Sequence, residues 1–539
     1  MRGFRGDMMF HQLLTPVADS LPLSFLCAVL PIVAVFVMLG VLRRPSWQSS
    51  IAGLAVALVI AVTLWQFPLG LALDAIVAGA TFAMWPVMWI VFTALLLYNI
   101  AVRSGNFDQF KGWIVRNLPN DRRIVLVVVG FSFSALLEGV AGFGTPVAIT
   151  SSILVGLGFS AMDALTFTLI FNTAPVAFGA MGTPITVLAQ VTGIPDTALA
   201  AMVGRQLPLF GFLLPFYVVT MYAGWRGMVK ILPFLFVAGG SFALTQFWVT
   251  NYSDYHLTDA LAALVSLTVS IGFLQVWKPA ADPAYALTPV DMTPASGHPL
   301  RGWIPWVLIA GTVILWATFK IPALGAVNVQ WPGLHNQVFI TLYNTAYAAI
   351  WAFQPLASGT AILVSALLTA LILKVSFAEV LTCAAITWRQ IRLAVVTVAA
   401  IIGLAYLMNY SGLNYTLGLG VASVGAAFPL LSAFLGWVAV FLSGSDTSGN
   451  ALFGNLQVVA ARQLNLSPIL MAATNSSGGV MGKMISPQNI STGVATTGLQ
   501  GKEGMIFART FKHSIILTLL LSLIVYLQQF VFPEMIPIP

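Results

Sequence analysis

Apolar residues run along the chain in blocks long enough to cross a bilayer, which takes roughly 20 residues of helix. Leu21 to Leu42 is the first block and Ile51 to Phe67 the second, and a longer one starts near Leu71 and ends about Val102. Ile124 to Leu137, Leu207 to Ala223, Ile231 to Val249 and Leu257 to Val276 follow. Trp303 to Phe319, Gly359 to Leu373, Leu393 to Met408, Phe428 to Phe441 and Ser514 to Val531 complete the series. Residues 320 to 357 hold several aromatics, with Lys320 as their one Lys or Arg, and read as an outer-surface stretch. The pattern predicts an all-α polytopic membrane protein of about 12–14 membrane segments.

Two long stretches interrupt the apolar pattern with Gly, Ser, Thr, Asn and Pro. The first runs from Glu138 to Pro146, on to Asn172 and Pro175, and ends at Gly182-Thr183-Pro184. The second runs from Ser443 to Asn450, on to Asn475 and Gly479, and ends at Ser486-Pro487-Gln488-Asn489. Asn172 and Asn475 stand the same distance before Pro184 and Pro487, which sets one offset of 303 residues between the copies. Broken backbone at membrane depth persists only where it is buried in protein or lines a wet cavity. Paired interruptions in two halves point to the binding site of a transporter.

The same offset carries 51–67 onto 354–370, 124–137 onto 427–440 and 207–223 onto 510–526. The basic loop 103–123 falls on 406–426, which has no charged residue. Lys and Arg gather on the cytoplasmic side of a membrane protein. The loops 43–50 and 103–123 are therefore expected inside, with the N-terminus and the C-terminus outside. The matched segments then cross in opposite senses, as an inverted-topology repeat requires. Residues 1–230 form the first repeat, 231–277 a connecting transmembrane helix pair and 302–539 the second, inverted repeat. Between them 278–301, with five prolines, reads as an extended cytoplasmic linker. Each repeat is expected to hold about five to seven segments, with broken helices or re-entrant hairpins meeting near the midplane.

Composition agrees: 59% of the 539 residues are hydrophobic and 7% charged. The net charge of +7 sits in short loops, where it orients a membrane protein, so it is no nucleic-acid signal. The two cysteines, Cys27 and Cys383, lie in apolar segments and give no disulfide or metal spacing. No nucleotide-binding loop or hydrolase motif is present, so the chain reads as a non-enzyme without metal or cofactor.

Half-helices that end near the midplane aim unsatisfied N–H groups, with partial positive charge, into the cavity between them. That suits a carboxylate. Thr145, Thr183, Ser443, Thr447, Ser448 and Ser486 add hydroxyls, and Asn172, Asn475, Gln488 and Asn489 add amides. These are the candidate substrate-binding residues, and they fit a small anion that carries its own hydroxyl. Glu138, Asp446 and Lys483 are ionisable residues inside the polar stretches, where charge is costly and serves function. Asp446 and Glu138 are the proton-coupling candidates. Lys483 is either the counter-charge for a substrate carboxylate or the partner of Asp446 or Glu138 in a structural ion pair. His513 follows two basic residues and is expected at the cytoplasmic interface.

The stretch EGVAGFGTP from Glu138 to Pro146 strongly resembles the bacterial lactate permease family. So do GSDTS at 444–448 with NALF at 450–453, GKMISPQ at 482–488 and NYSGL at 409–413. The resemblance covers most of the chain and is weakest in the linker and at the termini. It implies a proton symporter of the inner membrane that imports L-lactate, D-lactate and glycolate. Its partners would be those substrates, protons and the lipid bilayer; no oligomeric state follows. The alternative within the same hairpin architecture is a sodium-coupled carboxylate transporter, with Asn475-Ser-Ser-Gly478 holding the cation. An intramembrane enzyme built on Asp446 and Glu138 and a passive anion channel are the readings from other classes.

Overall fold

The computed structural model describes residues 9–42, 44–140, 142, 144–287 and 299–538. Apolar segments fold as helices because a backbone in hydrocarbon must satisfy its own hydrogen bonds. In chain order these are α1 Leu21–Phe36, α2 Ser46–Thr63, α3 Leu69–Phe82, α4 Trp89–Arg103, α5 Asn106–Arg116, α6 Arg122–Val127, α7 Ser134–Val140 and α8 Thr145–Gly156. Next come α9 Ala161–Phe171, α10 Gly179–Thr192, α11 Asp196–Val203, α12 Leu207–Val229, α13 Leu232–Tyr252, α14 Thr258–Val276, α15 Ile304–Thr318 and α16 Ser358–Ile372. The last are α17 Phe377–Ser411, α18 Leu413–Ala422, α19 Phe428–Ser443, α20 Asp446–Gln463, α21 Pro468–Lys483, α22 Pro487–Thr497 and α23 Glu503–Phe530.

Among the described residues, ten helical runs are long and apolar enough to cross a membrane. One bent helix pair and three shorter apolar helices add to them. The chain is an all-α polytopic membrane protein. The run Leu69–Arg103 is one such element, interrupted at Trp85, whose backbone is extended (φ −135°, ψ 117°). Offsetting α8, α10 and α12 by 303 residues lands them on the ranges of α20, α22 and α23.

The structure differs from the sequence expectation in two places. Residues 374–392 do not form a loop before a span at 393. A capping box between Ser376 and Glu379 starts α17 early, and the helix continues for 35 residues. At 1.5 Å per residue that is about 52 Å, longer than the hydrocarbon core. Arg389 and Arg392 therefore stay exposed on its protruding end. In the surface stretch 320–357 there are short strands, β2 Val327–Gln330, β3 Val338–Ile340, β4 Thr345–Ala346 and β5 Ile350–Phe353. The strand β1 Phe10–His11, from the N-terminal lead, pairs parallel with β3. The Pro-rich linker 278–301 lies partly outside the described residues, including 288–298.

The tightest packing joins α19 to α21. A side-chain carbon at Gly436 would strike the carbonyl of Asn475, one at Gly478 the carbonyl of Ala433, and one at Gly482 the carbonyl of Trp437. Small residues let membrane helices approach at backbone distance, which is how association is driven without a hydrophobic effect. This contact fixes α21 and with it Lys483. Helix α20 packs on both α19 and α21, α10 packs on α20, and α14 packs on α7. The two interrupted stretches are thereby brought face to face.

Gly482→Leu is expected to lower stability by about 1–3 kcal/mol through overpacking, read as a fall in Tm in detergent. Gly504→Ala, where a side-chain carbon meets nothing within 4 Å, should leave Tm unchanged.

Candidate functional site

Both stretches break their helices by left-handed backbone. Gly142 (φ 52°) and Gly144 (φ 81°) separate α7 from α8, and Gly444 (φ 71°) separates α19 from α20. At the start of α10, Ala180 (φ 44°), Met181 (φ 56°) and Gly182 (φ 72°) are all left-handed. Left-handed backbone at the two non-glycine residues costs of order 1–3 kcal/mol each. All three residues are buried. The breaks bring the first turns of α10, α20 and α22 around one small cavity, which Glu138 and Lys483 also line. The volume is about 40 Å³. That is room for a few waters at most, too little for a small carboxylate in this conformation.

An ion pair joins the two stretches. Lys483 Nζ donates to Glu138 Oε1 at 2.6 Å, with both side chains buried. Asn172 Nδ2 donates to Glu138 Oε2 at 2.9 Å. Glu138 ends the span Arg122–Val140, the end of a helix dipole that disfavours a negative charge. Its carboxylate therefore depends on these two donors. Lys483 ends α21, where the dipole favours a cation.

Asp446 opens α20, with Ser445 as N-cap accepting from the Ser448 N–H. Its Oδ2 accepts from Ser476 Oγ at 2.5 Å and Asn450 Nδ2 at 3.2 Å, and its Oδ1 lies against Gly479. Asn450 Nδ2 also donates to the Pro184 carbonyl at 3.1 Å, a direct tie between the copies. Asn475 donates to Asn450 Oδ1 (3.0 Å) and the Gly449 carbonyl (3.2 Å) and accepts from Gln457 Nε2 (3.1 Å). Its bonding capacity is spent on holding α20 to α21. Asp446 borders the cavity; its Oδ2 points into this network, and its buried Oδ1 has no hydrogen-bond partner among the described residues.

The remaining sequence candidates divide. Thr447 and Gln488 line the cavity. Ser486 Oγ is buried without a hydrogen-bond partner among the described residues, and a side-chain carbon at the cavity-lining Gly444 would lie 2.8 Å from it. Thr183 Oγ1 is turned back to the Ala180 carbonyl (2.6 Å), and Ser443 Oγ to the Ser445 carbonyl (3.1 Å). Ser448 is buried beside the Ser445 cap, and Asn489 Nδ2 donates to the Lys483 and Gly444 carbonyls. The Thr145 side chain lies outside the described residues. His513, on α23, is buried in the protein, with its Nδ1 2.5 Å from the hydroxyl of Tyr217 on α12.

Two wide clefts flank the small cavity. Gln488 also lines a cleft of about 800 Å³ with Arg44 and Glu503. The distal half of α10 lines the other, about 640 Å³, with Asp196, Arg462 and a cluster of tyrosines. Sequence reasoning missed Asp259, which is buried on α14 with neither carboxyl oxygen hydrogen-bonded among the described residues. An acid inside the apolar run 257–276 was the available signal.

The family described as L-lactate permease matches residues 24–532. The glycolate permease GlcA of Escherichia coli (strain K12) is 41% identical over 547 residues, covering 96% of this chain and 98% of the relative. The L-lactate permease of the same strain is 41% identical over 542 residues, with the same coverage. That of Bacillus subtilis (strain 168) is 38% identical over 565 residues, covering 98% of this chain and all of the relative. Among solved structures, the Alcanivorax borkumensis YdaH transporter aligns at 16% identity with a TM-score of 0.44, covering 84% of this chain and 87% of that one.

Removing one member of a buried pair strands the other charge. Lys483→Met should lower stability by about 3–5 kcal/mol, and adding Glu138→Gln should recover most of that loss. Thermal unfolding of the single and double variants in detergent measures both.

Proposed function

The chain belongs to the L-lactate permease family, and from that premise we propose that it imports lactate and glycolate by proton symport across the plasma membrane. The observation that carries the reading is the Glu138–Lys483 pair at the wall of the small cavity. A substrate carboxylate entering there competes with Glu138 for the Lys483 ammonium. Glu138 then loses its counter-charge in a low-dielectric site, where a lone carboxylate is costly. Taking a proton removes that cost, so substrate and proton are bound together. Glu138 is thus the proton-coupling residue, and Asp446 braces α20 against α21. The N-terminal N–H groups of α20 and α22 complement the carboxylate, and Thr447, Gln488 and Ser486 are placed to meet the substrate hydroxyl.

The paired stretches support an inverted repeat of 1–230 and 302–539 around the connecting pair 231–277. Basic residues orient it: Arg44 and the run 502–513 lie inside, as does the linker 278–301. The cleft with Arg44 then opens to the cytoplasm and the tyrosine-lined cleft to the outside. With one small site between two clefts, alternating access needs only one of the flanking walls to open at a time.

Uptake of labelled L-lactate into proteoliposomes, driven by an inward proton gradient without sodium, tests the reading. Accumulation that collapses with a protonophore is expected. Uptake that appears only with sodium would replace it with the sodium-coupled alternative. Glu138→Gln should lose the response to the gradient while Asp446→Asn keeps it. The reverse pattern would move the coupling site to Asp446.

A further inference from the structure

The exchange at Glu138 leaves one buried acid unused. Asp259 stands one turn into the helical segment that begins at Tyr255, 1% exposed, and neither of its oxygens has a hydrogen-bond partner among the described residues. It packs on the residue next to Glu138: a side-chain carbon at Gly139 would lie 2.7 Å from the Asp259 Cβ. Glu138 and Lys483 are the charged groups that act on it. The other helices packed on α14, namely α10, α13 and α15, contain no Asp, Glu, His, Lys or Arg. A carboxyl buried without a donor is held at least cost as the neutral acid.

The turn before Asp259 leads to the outer cleft. His256 Nδ1 is 2.7 Å from Asp254 Oδ1. The Tyr255 ring stacks on His256 with centroids 4.1 Å apart. The Tyr255 hydroxyl bonds Thr186 Oγ1 at 2.9 Å and Asp196 Oδ2 at 3.1 Å. Thr186 and Asp196 line the tyrosine-rich outer cleft. Groups that exchange protons thus reach from that cleft to within one helical turn of Asp259.

Resting on the symport reading, we infer that Asp259 is the proton donor to Glu138 and is reloaded from the outer cleft past Asp196, His256 and Asp254. When substrate takes Lys483, the Asp259 O–H bond breaks and its proton moves to the Glu138 carboxylate. The Asp259 carboxylate then takes a proton from the outer cleft. Asp259 acts through Glu138 and need not touch substrate.

The test compares proteoliposomes carrying the wild-type chain, Asp259→Asn and Asp259→Glu. In Asp259→Asn, proton-driven uptake of labelled L-lactate should fall by at least about tenfold, the scale of one positioned proton-transfer group. Lactate–lactate exchange at equal pH should persist within about twofold, because exchange moves no net proton and does not wait on the reloading of Asp259 from the outer cleft. Asp259→Glu should restore driven uptake. Driven uptake in Asp259→Asn at the wild-type rate would overturn the relay. So would loss of exchange in both variants, which assigns Asp259 to structure or substrate binding. A wild-type chain indifferent to the proton gradient would instead overturn the symport reading itself, a result visible before any variant is compared.

Discussion

A buried ion pair joins the two interrupted stretches at this protein's centre. Lys483 and Glu138 are 345 residues apart and meet at 2.6 Å with almost no solvent contact. Two ions lose a large hydration energy on burial, and their attraction offsets it only when geometry and extra hydrogen bonds are good. The surrounding structure supplies both. Asn172 fills the second oxygen of Glu138. The glycine contacts of α21 with α19 hold the lysine end at backbone distance. Such a pair is weak support for stability and a good switch, because a third charge of the right sign can exchange with one partner.

The broken helices follow from the same requirement. A continuous helix through Gly142–Gly144 or Gly444 would carry its own hydrogen bonds and offer nothing to an anion. Left-handed residues stop the helices before α8 and α20 and open α10, and the first turns of α10, α20 and α22 line the cavity. The buried amides then differ in task from the charged pair. Asn450 and Asn475 bond to backbone and to each other across α10, α20 and α21, so they set the distances at which the charges sit.

Much of this was legible in the sequence. Membrane spans are legible because lipid imposes a uniform apolar demand, and the interruptions because Asn, Ser and Thr crowd there with Gly and Pro against that demand. Residue types named Glu138 and Lys483 but left the partner of the lysine open between Glu138 and Asp446. A lysine 345 residues away has no local signature, and Asp446 was an equal partner until packing chose. Asn475 has the composition of a ligand, and only its neighbours reveal that all its bonds are internal. Asp259 was visible as an acid near a span end, which reads as interfacial until Gly139 brings α14 against Glu138. Among the strands of 327–353, β3 pairs with β1 from the N-terminal lead, a non-local pairing that no window contains.

The central claim is that substrate and Glu138 exchange over Lys483, with proton uptake as the consequence. Its most direct measurement is the number of protons bound when L-lactate is added to the detergent-solubilised protein in weakly buffered solution with a pH indicator. The account predicts net proton uptake that saturates with lactate binding and disappears in Glu138→Gln. Lactate binding without proton uptake, or uptake that persists unchanged in Glu138→Gln, would contradict it.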